Sequence, residues 1–264
     1  MRATLNGPSL DNPHSRPSLL DTVTVVSLRS RRLLGVVGAL TVMAALVIAA
    51  RWPVTTSVGV NYKVTVKRLT LFEKAIAFVD RDLEMRRLTR EIAETGGAPE
   101  QRLLRMYEWV TDNIHPVPPG LPVVDDHVFD IFVRRYGAND QRAEALAALA
   151  SYDGMPATTI ALGKNPKRRL VQMTVVRIAD RLVAFDVNNR IVFRKASGEL
   201  ATLNDLVADP SIIRTLGHGV VVDGAPYAEH FQQLSEVSPS FVRMEKQRFW
   251  PRLKDELSDR LTMR

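Results

Sequence analysis

Cysteine is absent from all 264 residues. Disulfides, thiolate zinc sites, iron–sulfur ligation and every covalent mechanism run by an ionised sulfur are therefore excluded. The absence leaves the compartment open, because many exported bacterial domains also lack disulfides. No Gly-x-Ser-x-Gly elbow is present for a serine hydrolase, no glycine-rich phosphate loop occurs, and no internal repeat stands out. The net charge of +7 comes without a nucleic-acid motif, and many of the basic residues flank an apolar run or lie on amphipathic segments. A solvated charged face or adhesion to an anionic membrane surface explains that charge better than a nucleic-acid partner.

With 45% hydrophobic and 25% charged residues, the chain has the composition of a globular domain with appendages. Residues 33–50 are apolar and uncharged, with Arg29, Arg31 and Arg32 before them and Arg51-Trp52-Pro53 after them. At ~1.5 Å per residue, ~17–25 apolar residues cross a bilayer, and Trp52 is suited to the interface. The arginines before the run predict a cytoplasmic amino terminus, a single-pass anchor in a bacterial inner membrane and a periplasmic carboxyl-terminal domain, although Arg51, Lys63, Lys67 and Arg68 blunt the asymmetry. A signal peptide cleaved near Val47-Ile48-Ala49 and a buried core helix are the competing readings. The expected organisation is a cytoplasmic tail at 1–32, the span at 33–50, an extended linker at 51–68, a main domain at 69–216 and an extension at 217–264 carrying an amphipathic helix.

Helical periodicity covers 69–92, and Thr95-Gly96-Gly97-Ala98-Pro99 stops it and starts a second helix over 100–114. A helix at 128–135 leads to Gly137, and 140–152 is an alanine-rich helix suited to burial against a sheet. Gly154-Met155-Pro156 turns the chain into strands at 157–162, 170–178 and 182–187, the last two joined as a hairpin at Ala179-Asp180-Arg181. Short helices at 200–207 and 210–216 and a strand at 218–222 follow, and the terminal amphipathic stretch at 241–262 is expected to dock on its own domain. Helices first and antiparallel strands later predict an α+β domain with helices on one side of a small antiparallel sheet.

Three blocks resemble transglutaminase-like domains of the papain-like cysteine-enzyme superfamily. Residues 105–114 (RMYEWVTDNI) are similar to the helix preceding the nucleophile, 135–154 to the nucleophile turn, central helix and Gly-x-Pro exit, and 171–186 to the hairpin presenting histidine and aspartate. The resemblance implies a papain-like core with a cleft between helical and sheet halves, suited to an extended peptide or glycan. It also implies a cysteine at the start of the central helix, activated by a histidine that an aspartate orients. Carried over, the cysteine position falls on Asn139, the aspartate position on Asp186, and the histidine position on Gln172, or on Val171 if the hairpin has no deletion. Neither carboxamide shuttles a proton near neutral pH, so no catalytic residue is expected and the domain reads as degenerate. Asp140, Gln141, Trp109 and His127 are further candidates for lining that cleft.

Blander roles compete for the same residues. Asn139 is a good helix N-cap, and Asp186 a turn residue ahead of Asn188-Asn189. Asp125, Asp126, His127, Asp130 and His115 cluster in sequence, but Asp125 or Asp126 is expected to cap the following helix, and no metal or cofactor is expected. Asp140 and Glu144 at helical spacing read as ordinary dipole complements. The functional expectation is an inactive binding or scaffolding module in envelope polysaccharide assembly, meeting an envelope protein, peptide or glycan. The alternatives are a hydrolase or amidase with a relocated base such as His127 or His218, a sugar-processing enzyme with paired carboxylates, and a purely structural subunit.

Overall fold

A computed structural model describes residues 19–58, 65–94, 96–123, 127–163, 170–245, 248–251 and 254. The chain forms two units, 1–52 and 53–264. In the first, helix α1 (Leu19–Ala50) contains the apolar run Leu33–Ala50, 18 residues that are long and apolar enough to cross a membrane. No residue of that run is buried in protein.

The second unit opens on a hairpin of β1 (Pro53–Val58) and β2 (Thr65–Thr70), antiparallel from Pro53↔Thr70 to Val58↔Thr65. The stretch expected only to be extended is thus a paired ribbon. Thr70 ends it and starts α2 (Leu71–Ala93) through a capping box: Thr70 Oγ1 accepts from Glu73 N, and Glu73 Oε2 accepts from Thr70 N at 2.8 Å. Those bonds hold the Glu73 carboxyl below its ordinary pKa. Helix α3 (Pro99–Asn113) begins with proline at its first turn, where a missing N–H costs nothing. After the two-residue strand β3 (His115–Pro116) come α4 (Val128–Arg134), β4 (Tyr136–Gly137) and α5 (Asn139–Tyr152). Strands β3 and β4 pair in parallel, fixing the loop after α3 against the turn that enters α5.

Helix α5 is the buried axis of the domain. Its residues 141–151 are all buried, which the run of alanines permits, since only small side chains let neighbouring elements approach on every side. It stops in a turn where Gly154, at φ +89°, lets Met155 N reach back to Ala150 O at 2.9 Å. The chain then builds an antiparallel sheet in sequential order from β5 (Ala157–Leu162), β6 (Val171–Ile178), β7 (Arg181–Asp186) and β8 (Ile191–Val192). Short helices α6 (Leu203–Ala208) and α7 (Ser211–Leu216), a ribbon of β9 (Val221–Val222) and β10 (Ala225–Pro226), 3₁₀ turns at Tyr227–Phe231 and Leu234–Glu236, and α8 (Val242–Glu245) complete the described chain.

The α+β expectation holds, with one difference: both faces of the sheet are covered. Val176 and Ile178 of β6 face α5 and the helical core, where Thr174 Oγ1 also donates to Ala143 O at 2.7 Å. Val171, Met173 and Val175 face a second core completed by Leu206, Ile213, Tyr227 and Phe231. Residues beyond 216 therefore supply a layer of the domain. Nearly continuous burial along β6 agrees with a strand enclosed from both sides. Only Val221–Val222 of the strand expected over 218–222 is paired. The docking expected of the terminal segment is present at its start: Met244 is buried in the helical core, Phe249 lies 5.7 Å from the Phe78 ring, and its N–H donates to Asp82 Oδ1 at 3.2 Å. Most of the remainder of that segment falls outside the described residues.

Candidate functional site

At the amino-terminal end of α5 lies an open cleft of about 430 Å³, lined by Pro116, Val117, Val123, Gly137, Ala138, Asn139, Asp140, Leu170 and Gln172. Two of the three positions singled out by the resemblance, Asn139 and Gln172, meet here from opposite halves of the fold. The register explains it. Gln172 stands opposite Ala161 in the β5–β6 ladder, whereas its neighbour Val171 points into the second core and is 2% exposed. Strand alternation thus assigns the cleft position to Gln172 and not to Val171.

Asn139 does not cap α5. It is the first helical residue, and Ala138 is the N-cap. The capping atom comes from Gln141, whose Oε1 accepts from Ala138 N at 3.0 Å while also receiving Arg134 Nη2 at 3.1 Å. A side chain three residues into the helix has taken over the role expected of Asn139, and this leaves the Asn139 carboxamide at the cleft surface. Gly137 leaves room for that arrangement: a Cβ there would lie 3.2 Å from Gln141 Cβ and 3.4 Å from Ile131 Cγ2, and those side chains would have to give by a few tenths of an ångström.

Asp186 is fully buried at the end of β7 and outside the cleft lining. Its Oδ1 accepts from Asn188 N at 2.9 Å and Asn189 N at 3.0 Å, and its Oδ2 accepts from Asn189 Nδ2 at 2.8 Å and Tyr227 Oη at 2.7 Å. Four donors saturate the carboxylate with loop and core contacts, so its observed work is to shape the turn after β7 and tie it to the second core.

The link between the three positions is Asn188. Its backbone N–H bonds to Asp186, and its Nδ2 donates to Asn139 O at 3.0 Å and lies 3.5 Å from Gln172 O. Arg142, buried within α5, holds the other end of this side chain: Nη1 donates to Asn188 Oδ1 at 3.1 Å, Nε to Ile114 O at 2.9 Å and Nη2 approaches Val187 O at 3.4 Å. Burial, followed by the nearby charge of Arg190, holds the Arg142 guanidinium below its ordinary pKa. Beside it the Tyr107 hydroxyl is buried with no hydrogen-bond partner among the described residues, and burial and then the charge of Asp186 push its pKa up. Sequence reasoning misses Asn188, Arg142 and Tyr227. The one available signal was a charged residue, Arg142, inside an otherwise apolar helix face, where an unpaired charge is too costly to leave alone.

Of the other expected cleft residues, Asp140 lines the cleft, and its Oδ1 accepts from Gln141 N at 2.9 Å. Gln141 is turned inward as the cap. Trp109 packs against Phe132 and lies under the Arg135 guanidinium, 4.7 Å from its ring centre, instead of in the cleft. His127 is itself the N-cap of α4, its Nδ1 accepting from Phe129 N at 3.1 Å. It takes the place expected of Asp125 or Asp126, which fall outside the described residues. His218 is not a cleft residue either, and its N–H reaches Thr215 O within the turn after α7. Among the described residues, no three metal-ligating side chains gather together.

Chemically, the cleft offers two carboxamides, one carboxylate and a rim of proline, valine and leucine. Its described lining contains no imidazole, hydroxyl or amine. Such a surface can donate and accept hydrogen bonds to amides or sugar hydroxyls and can cover apolar groups, but its carboxamides cannot act as nucleophile or general base near neutral pH.

No protein-family model matches the sequence, and no curated protein does. Among solved structures, the chain is similar to an inferred cysteine protease from Cytophaga hutchinsonii, with 15% identity over 50% of this chain and 48% of that one, at a TM-score of 0.36. It is also similar to a TGase, with 14% identity over 61% of this chain and 44% of that one, at a TM-score of 0.36. An inferred protease from Parabacteroides distasonis shares 12% identity over 49% of this chain and 35% of its own, at a TM-score of 0.32. The chain spans less than half the length of each of these structures.

Proposed function

We propose that this chain is a membrane-anchored, extracytoplasmic protein whose transglutaminase-like domain has lost covalent catalysis and serves as a binding or scaffolding module. Its proposed setting is the bacterial cell envelope, with Leu33–Ala50 held in the inner membrane, the domain in the periplasm and polysaccharide assembly as the process it supports. The observation that carries the reading is the make-up of the cleft: Asn139 and Gln172 place carboxamides where the resemblance implies sulfur and imidazole, and Asp140 is the one ionisable side chain of the described lining. Asp186 is committed to the fold by four hydrogen bonds, which supports the same reading.

The ligand class follows from the groups available. Carboxamides paired with an apolar rim match an extended peptide or a glycan, both of which alternate hydrogen-bonding groups with apolar faces. The test is titration of the purified full chain with peptide and envelope-oligosaccharide probes, repeated with Gln172→Trp to fill the cleft. Binding that Gln172→Trp abolishes supports the reading. Binding that it leaves untouched, or consumption of the probe over many turnovers, overturns it. For the topology, a reporter enzyme fused after Arg264 should be active on the outer side of the membrane, and cytoplasmic activity reverses the proposed orientation.

A further inference from the structure

Both faces of the four-stranded sheet are covered, but its two edges differ. At one edge, β8 pairs with the end of β7 and Thr202 bridges to Val183 of the same strand, so β7 is closed off. At the other edge, β5 pairs with β6 alone. The register shows which of its backbone groups are left over. Arg177 N donates to Pro156 O at 2.7 Å, so the bonded pairs alternate from there through Thr158–Val175 and Ile160–Met173. The N–H and C=O groups of Thr159 and Ala161 therefore point away from β6, and no described residue bonds to them. Ala157, in the same phase, is already enclosed at 1% exposed, whereas Thr159 and Ala161 are half-buried.

A space of about 360 Å³ lies here, bordered by residues 159–162 and by Gln233, Glu236, Val237 and Ser238. Ile160 and Leu162 turn their side chains into the second core, and successive strand residues point to opposite faces. Four residues in a row can therefore line one space only along the edge of the strand. We propose that this slot takes an extended peptide segment of another protein as a further strand beside β5, with a lysine or arginine of that segment on Glu236. Thr159 and Ala161 offer a row of main-chain donors and acceptors, which an extended main chain matches group for group. Residues 159–162, at ~3.3 Å each, set the length of chain that the slot reads. The second wall supplies selection. The Gln233 carboxamide, the Glu236 carboxylate and the Ser238 hydroxyl have no hydrogen-bond or ion-pair partner among the described residues, and Glu236 is the one charged side chain of the described lining. A second copy of this chain is the poorer occupant, because its own β5 edge brings the same wall and another Glu236 carboxylate, and like charges set against each other on a sheet repel. The slot shares no described residue with the cleft at the start of α5, so the inference stands whatever the cleft binds.

The test uses a short fluorescent peptide of β-branched residues with a central lysine, and the same peptide with a central glutamate, each titrated into the full chain in detergent and read by anisotropy. The lysine peptide is expected to bind about tenfold more tightly or better, and Glu236→Lys to reverse that order. N-methylation at alternate peptide residues removes main-chain donors without touching the protein. It should cost about tenfold or more in the phase that faces β5 and little in the other. Thr159→Pro deletes an outward N–H where an edge strand tolerates proline, and should weaken binding at an unchanged melting temperature. A photoreactive group on the lysine peptide should cross-link to residues 159–162 and 233–238. No binding of the lysine peptide, an order of affinity that Glu236→Lys leaves unchanged, equal affinity of the two N-methylated forms, or cross-links in the cleft instead overturns the proposal. So does sedimentation that shows two chains joined through this edge and separated by Thr159→Pro.

Discussion

The Tyr227 hydroxyl donates to Asp186 Oδ2 across 2.7 Å, and both residues are sealed from solvent. They stand 41 residues apart and join the turn after β7 to the layer covering the second face of the sheet. Tyr227→Phe keeps the ring packing against Phe231 and removes only this donor. Leaving a buried carboxylate one bond short costs about 1–3 kcal/mol, read as a lower denaturant midpoint. An unchanged midpoint would mean that water replaces the hydroxyl at no cost.

Gly217 tests the same link from the other side. A Cβ there would press into the Tyr227 ring and stand 2.9 Å from Ile213 O, a backbone atom that cannot step aside. Gly217→Ala is expected to destabilise by roughly 1–3 kcal/mol, as overpacking does. The loss should shrink when Tyr227 is replaced by a smaller residue, and a strictly additive double mutant would show that the clash lies elsewhere.

The start of α5 separates capping from cleft chemistry. Gln141→Ala removes the side chain that accepts from Ala138 N and should cost about 0.5–2 kcal/mol. Asn139→Ala should change stability by less than about 0.5 kcal/mol, because its carboxamide caps nothing, while weakening any cleft ligand. Thermal melts of the two variants check the order, and a larger loss for Asn139→Ala would reinstate it as the cap.

Alkaline pH gives a signed prediction. Burial, and then the charge of Asp186, raises the pKa of Tyr227 and of Tyr107, and burial followed by the charge of Asp82 raises that of Tyr152. A folded-state pKa above the unfolded value of about 10 means that the folded chain holds its proton longer. Their contribution is complete below pH about 10 and is lost as pH rises toward the folded values. Denaturation midpoints between pH about 8 and about 11 should be flat and then fall, less steeply in Tyr107→Phe. A midpoint rising through that window contradicts the assignment.

Much of this architecture is legible in the sequence where periodicity is long. The helix now found at Leu71–Ala93, the strand Ala157–Leu162 and the hairpin of β6 and β7 all follow from apolar spacing and turn residues. Two-residue strands such as His115–Pro116 and Tyr136–Gly137 are not legible, since no period exists in so short a run and only long-range pairing creates them. The cap of α5 went to Gln141 because a side chain at the third helical position can reach back to the N-cap N–H, an outcome propensity alone does not decide. The site was half legible. Asn139 and Gln172 meet in the cleft as block order suggested, but the residues that organise it, Asn188, Arg142 and Tyr227, act across separations of 28 to 49 residues in these contacts and carry no local signature.

The most direct test of a cleft that binds without covalent chemistry is intact-mass spectrometry of the purified full chain incubated with a glutaminyl peptide and an amine, with the peptide followed in parallel. Carboxamides at Asn139 and Gln172 predict an unmodified protein mass and a peptide consumed no faster than in buffer. An acylated chain, or repeated turnover that Asn139→Ala or Gln172→Ala abolishes, would contradict it.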